Sequence, residues 1–217
     1  MENQFIRAKS RENKAIRLQQ IMNVTDQLFQ KHTYHEISLS VISNLAGFAR
    51  GGLYKYVSSK EELFLLLYLE KQEEMLQDIL AQMRGRKVTI TLLADVMSST
   101  LYRHFDFLKY HQIQNAIVET NVSIEKLAEF KKNSLQQRRE LFELMMEACH
   151  TDEKQVYDAY LSILAHSVYL RDRMNCADSF VKAMEIAGLE IVPVKFIENL
   201  CCFIRMYLTH CVTGPKS

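Results

Sequence analysis

Apolar side chains recur with a helical period along almost the whole chain. Leu18, Ile21, Met22, Thr25, Leu28 and Phe29 share one face, with Lys14 and Arg17 on the other, which predicts a first helix over Glu12–Lys31. The stretch HTYHEI (32–37) reads as a polar connection. Ser38 has the chemistry of an N-cap for a short helix over Leu39–Leu45, and Gly47 that of its left-handed terminator. A third short helix is predicted over Arg50–Tyr56, with Leu53 and Val57 inward. Ser58 with Glu61 and Ser59 with Glu62 have capping-box spacing and open a long helix running to Met83. Further helices are predicted over Thr89–Leu108, Tyr110–Glu119, Ile124–His150, Asp152–Arg173 and Lys195–Val212. The looser segment Asn175–Val194 holds one short helix.

Composition narrows the fold class to all-α. Only two prolines occur, Pro193 and Pro215, and no alternating β-branched run is present. An apolar share of 48% over 217 residues is ample for a packed core and excludes a disordered chain. The longest apolar run, LFLLLYL (63–69), falls far short of the roughly 18 residues of a membrane span. The N-terminal residues lack the apolar core of a signal peptide. A cytoplasmic protein with no membrane partner is expected, its five cysteines reduced and mostly buried. Those cysteines have no metal-ligand spacing, and HExxH, GxSxG and GxxxxGK are absent. No metal, no cofactor and no enzymatic activity are expected.

Charge is unevenly spread. Residues 1–60 carry nine Lys/Arg against four Asp/Glu, and residues 61–217 carry 18 against 22. A basic N-terminal third on an acidic remainder suits an end that faces phosphate. That end contains SLSVISNLAGFARGGLYKYVSSKEEL (38–63), in which two short helices flank a glycine turn beside Tyr54, Lys55, Tyr56 and Lys60. This is the pattern of a helix-turn-helix meeting double-stranded DNA.

On these residues the chain resembles the TetR family of transcriptional regulators. The resemblance is carried by Leu28-Phe29 closing the first helix, Ile42, the Ala46-Gly47 turn, Gly51, Leu53-Tyr54, Tyr56 and Ser59-Lys60-Glu61. It covers residues 14–65 closely and the later helices in outline. It implies a three-helix DNA-binding domain joined to a larger helical bundle that binds a small molecule and dimerises. Four positions depart from the family pattern. Thr33 stands where glycine is usual, so the turn there must adopt another backbone conformation. Ala49 replaces serine, Gly52 replaces threonine and Val57 replaces phenylalanine, which points to a different operator.

The domains expected are 1–58 for the arm and helix-turn-helix, 59–84 for a connecting helix, and 85–217 for ligand binding and dimerisation. The DNA-binding residues expected are Ser38, Arg50, Gly51, Gly52, Tyr54, Lys55, Tyr56 and Lys60. Arg50 suits base readout by forking onto guanine, or one more phosphate contact. The resemblance assigns Tyr54 and Lys60 to phosphate, while Tyr56 either packs or touches DNA. Upstream, Arg7, Lys9 and Arg11 form a basic arm, expected to be disordered or to enter a minor groove.

Methionines and aromatics concentrate in the larger domain, where they suit either plain core or an adaptable cavity. The expected pocket comprises Met97, Leu101, His104, Phe105, His111, Asn115, Phe142, Met146 and His166. A homodimer is expected through the last two long helices, using Leu161, Leu164, Val168, Ile197, Cys201, Ile204 and Leu208. The functional expectation is a homodimeric repressor released from a palindromic operator by a small apolar or amphipathic effector. The rival is a ligand-binding or protein-interaction module whose helix-turn-helix does not bind DNA.

Overall fold

A computed structural model describes residues 2–212, and side chains from Glu12 to His210 except Arg50. Among them the fold is all helical, with no strand. The α-helices are α1 (Glu2–Lys31), α2 (Leu39–Leu45), α3 (Arg50–Leu53), α4 (Lys60–Met83), α5 (Ile90–Arg103), α6 (Phe105–Ile113), α7 (Ile124–Cys149), α8 (Glu153–Met174), α9 (Asp178–Ile186) and α10 (Phe196–Tyr207). No helix among the described residues is long and apolar enough to cross a membrane.

The chain forms two compact units, one of residues 1–69 and 114–130, the other of 70–113 and 131–217. Helices α4 and α7 each begin in the first unit and continue unbroken into the second. In the first unit Ile21, Phe29, Ile42, Leu53, Val57 and Phe64 form the core, with the rings of Phe29 and Tyr34 each edge-on to Phe64 at 5.0 Å. In the second unit α10 packs along α5 and α8, and α6 packs on α8. Asp95 of α5 ties down α10 by accepting from Arg205 at 2.5 Å and from the Cys201 thiol at 3.2 Å.

Most predicted helices form, with shifted ends. Helix α1 begins at Glu2, so the expected basic arm is helical backbone; the side chains of Arg7, Lys9 and Arg11 lie outside the described residues. The long helix expected over Thr89–Leu108 breaks earlier. Thr89 caps it, accepting from the Leu92 amide at 3.2 Å, but His104 leaves helical geometry at ψ 47°. There the His104 ring meets Asp78 at 3.2 Å, and Phe105 turns onto Phe196 at 4.9 Å, so tertiary partners override a continuous helical pattern. The helix expected over Tyr110–Glu119 instead ends at Ile113 and passes into one π-turn and one 3-10 turn. Asp152 caps α8, accepting from the Gln155 amide at 3.0 Å.

Candidate functional site

The turn between α2 and α3 is closed by backbone bonds. Ser38 Oγ accepts from the Val41 amide at 3.3 Å at one end of α2. At the other end Gly47 adopts φ +71°, the Gly47 amide donates to Asn44 O at 3.3 Å, and the Phe48 amide donates to Ser43 O at 2.8 Å. These are the two bonds of a Schellman closure, and they fix the direction in which the chain leaves α2. Ala49 then starts α3 with no side-chain cap, as expected from the lost hydroxyl.

Regular helix in α3 covers only Arg50–Leu53, shorter than the Arg50–Tyr56 expected. Two consecutive glycines and an uncapped start hold the backbone weakly, and the rest continues as turns, with Tyr56 N bonded to Leu53 O at 2.9 Å. Leu53 and Val57 point inward at 1% and 2% exposure. The side chains of Tyr54 and Lys55 point outward and have no hydrogen-bond or ion-pair partner among the described residues. Gly51 is open on its surface, and a side chain at Gly52 would meet only the Phe48 ring edge at 3.8 Å. Tyr56 is half-buried, edge-on to Phe48 at 5.7 Å, so it braces this segment. Arg50 falls on α3, but its side chain lies outside the described residues.

Lys60 has an internal occupation that spacing alone did not disclose. Its ammonium donates to Tyr34 O and Ile37 O, both at 2.9 Å, and sits 3.7 Å from the centre of the Tyr34 ring. Burial lowers its pKa. It therefore fastens the α1–α2 connection to the start of α4. Tyr34 also donates to Glu61, which takes Glu61 away from the expected pairing with Ser58. Burial first, then that carboxylate, raises the Tyr34 pKa. At the α4 start, Ser59 Oγ accepts from the Glu62 amide at 3.1 Å. Glu62 receives the Ser58 amide and hydroxyl, both at 2.6 Å, and Lys126 at 3.0 Å. Thr33 takes an extended conformation at φ −76°, held by its amide and hydroxyl donating to Glu36 at 2.7 Å. The turn thus dispenses with the usual glycine.

The expected pocket residues have separate surroundings. Met97 and Leu101 are wholly inside α5's buried face. His104 belongs to the Asp78 cluster with Arg103, and Phe105 packs among Tyr102 and Phe196. His111 lies beside Phe107 at 6.0 Å, and burial, then the charges of Arg138 and Lys131, push its imidazole down to about 4. Asn115 is exposed in the π-turn, in the other unit. His166 stacks on Phe203 at 4.1 Å. Phe142 and Met146 do share a cavity, an open groove of about 550 Å³ that Leu135, Lys132 and Arg139 also line.

Two residues escaped sequence reading. Arg138 and Tyr160 are both buried in the second unit, and the Tyr160 hydroxyl has no hydrogen-bond partner. The available signal for Arg138 was a charge in an apolar stripe, at helical spacing between Ser134 and Leu141. The stripe assigned to dimerisation also divides: Leu164, Ile204 and Leu208 are wholly buried within one protomer. Ile197 is exposed and Leu161, Val168 and Cys201 are half-buried, and Tyr169 and Met206 are exposed on the same two helices, with His166, Phe203 and Tyr207 half-exposed. Of the cysteines, only Cys149 is buried; Cys176 and Cys201 are half-buried, Cys202 is exposed, and the Cys211 side chain lies outside the described residues.

Comparison with known proteins gives two matches in chain order. Residues 21–67 match the family of bacterial regulatory proteins called the tetR family, and residues 69–210 match a tetracyclin repressor-like C-terminal domain. Over 126 residues the chain is 24% identical to the fatty acid metabolism regulator protein of Bacillus subtilis (strain 168). That stretch is 58% of this chain and 59% of the relative, less than two thirds of its length. The fold is similar to that of the fatty acid degradation regulator FadR from Bacillus halodurans, with a TM-score of 0.56 at 18% identity, covering 88% of this chain and 97% of that one.

Proposed function

The chain belongs to the tetR family of bacterial regulatory proteins, and from that premise we propose that this transcription regulator is a homodimeric repressor of a palindromic operator. The carrying observation is the reading head itself. A Schellman closure at Gly47 and the buried pair Leu53 and Val57 position a short segment whose Tyr54 and Lys55 side chains have no hydrogen-bond or ion-pair partner among the described residues. Side chains directed outward without internal partners are suited to phosphate, and Arg50 on the same helix to base edges. Ser38, Gly51 and Gly52 let the backbone approach DNA, while Tyr56 and Lys60 brace the head and leave one ammonium N–H for phosphate.

In this reading residues 1–58 recognise DNA, 59–84 connect, and 85–217 bind the effector and dimerise. Dimerisation uses the outward face of α8 and α10, where His166 stacks on Phe203 and Ser162 donates to the Tyr207 hydroxyl at 3.2 Å. The effector is apolar or amphipathic, and the fatty-acid names of the two relatives support one with a hydrocarbon chain. Its binding favours a dimer shape in which the two heads no longer match successive major grooves.

Selection of bound duplexes from a random pool tests this. A recovered palindrome whose binding is released by an amphipathic compound is the expected result. Recovery of no palindrome defeats the proposal.

A further inference from the structure

We infer that Arg138 and Tyr160 form a seat for the carboxylate of an apolar acid within the second unit; the inference rests on the effector-responsive reading above and names the effector's class. Arg138 is 6% exposed and occupies a core position of α7. Its Nε donates to Ser134 O at 3.0 Å. The remainder of the guanidinium faces three rings, those of Phe142, Tyr157 and Tyr160, with centres at 5.6, 5.5 and 5.4 Å. Among the described residues no carboxylate lies within ion-pairing distance of it. Ring quadrupoles offset only part of the cost of taking a cation out of water, so the box is electrostatically incomplete.

The second observation is independent of charge. Tyr160 is 1% exposed and its hydroxyl has no hydrogen-bond partner. Buried hydroxyls are nearly always paired, and an orphan beside a cation is placed to donate to an anion. Burial first, then the charges of Arg138 and Lys131, lower the pKa of the neighbouring His111 imidazole.

The ligand class follows from the count of donors. One guanidinium fork and one hydroxyl match a single carboxylate, whereas a phosphate dianion would leave one charge uncompensated among aromatic rings. Phe142 is a shared wall: its ring faces Arg138 and it also lines the open groove with Leu135 and Met146. That groove accommodates a hydrocarbon tail along Leu135, Phe142 and Met146; its charged lining is mixed, Lys132 and Arg139 beside Glu143 and Glu153.

Titration calorimetry of the full chain with decanoate and with methyl decanoate tests the seat. Decanoate is expected to bind at least tenfold more tightly than its uncharged ester, the equivalent of one charge-assisted hydrogen bond. Tyr160→Phe should weaken decanoate roughly tenfold without lowering the melting temperature, because the hydroxyl has no internal partner to lose. Arg138→Gln should weaken it on the order of 100-fold. If Arg138→Gln fails to fold, Tyr160→Phe decides alone. Equal binding of acid and ester, no binding of decanoate, or unchanged affinity in Tyr160→Phe overturns the seat. Duplex binding by the ligand-free protein is measured in parallel; its absence sinks the repressor reading and leaves the carboxylate result to stand or fall separately.

Discussion

Lys126 Nζ in the first turn of α7 stands 3.0 Å from Glu62 Oε1 in the first turn of α4. The other Glu62 oxygen holds the Ser58 amide and hydroxyl, so one carboxylate joins the end of the reading head to the helix that later carries Arg138. Burial alone would raise the Glu62 pKa, but the Ser58 bonds and Lys126 outweigh it and hold the group below its ordinary value. Its contribution is therefore present above the ordinary carboxylate range and is lost as pH falls through the depressed value. Glu62→Gln is expected to destabilise the first unit by about 1–2 kcal/mol, mostly through the Ser58 cap. Lys126→Ala should cost less than about 1 kcal/mol because the lysine is half-exposed. Urea unfolding of both single variants and the double variant separates the two contributions.

Tyr54 and Lys60 are expected to respond differently to mutation. Tyr54→Phe removes a hydroxyl with no internal partner, so stability should change by less than about 0.5 kcal/mol while duplex affinity falls several-fold. Lys60→Met strips donors from two carbonyls and should lower stability by about 1–3 kcal/mol. Thermal melts run beside fluorescence-anisotropy DNA titrations distinguish the two patterns.

The glycines of the head have separate roles. Gly47→Ala meets no neighbouring atom but must hold φ +71°, so it should cost about 1–2 kcal/mol. Gly52→Ala faces only the Phe48 ring edge at ordinary contact distance and should stabilise α3 by roughly 0.5–1 kcal/mol. Chemical denaturation of the two variants should therefore shift in opposite directions.

Acid pH should weaken the second unit through His111. Its folded-state pKa, near 4, lies below the ordinary 6.5, so the unfolded chain binds the extra proton first as pH falls. Stability is expected to decline between about 6.5 and 4, by on the order of 2 kcal/mol, and to level off below. His166, also lowered by burial, adds to the same window. His111→Gln should flatten most of the pH dependence of unfolding there.

Helix periodicity and cap chemistry carried much of the fold, because Ser38 and Gly47 act on their own neighbours. What stayed hidden was set by distant residues. The break at His104 depends on Asp78, and the occupation of Lys60 depends on carbonyls 23 and 26 positions away. Leu164, Ile204 and Leu208 read as an interface stripe because an apolar helix face looks the same whether its partner is another protomer or a neighbouring helix of the same chain. Arg138 stayed unseen since its environment is assembled from three rings on α7 and α8. Spacing put Tyr54 and Tyr56 on different sides of α3, and the resemblance put Tyr54 toward DNA; the bracing of Tyr56 by Phe48 was not legible.

The most direct test of the account is the salt dependence of binding to the selected duplex, for the native chain and for Lys55→Ala. Log affinity should fall linearly with log salt concentration, and Lys55→Ala should weaken binding on every sequence and reduce the slope by about one phosphate per protomer. Salt-insensitive binding, or a Lys55→Ala slope equal to that of the native chain, would contradict the reading head.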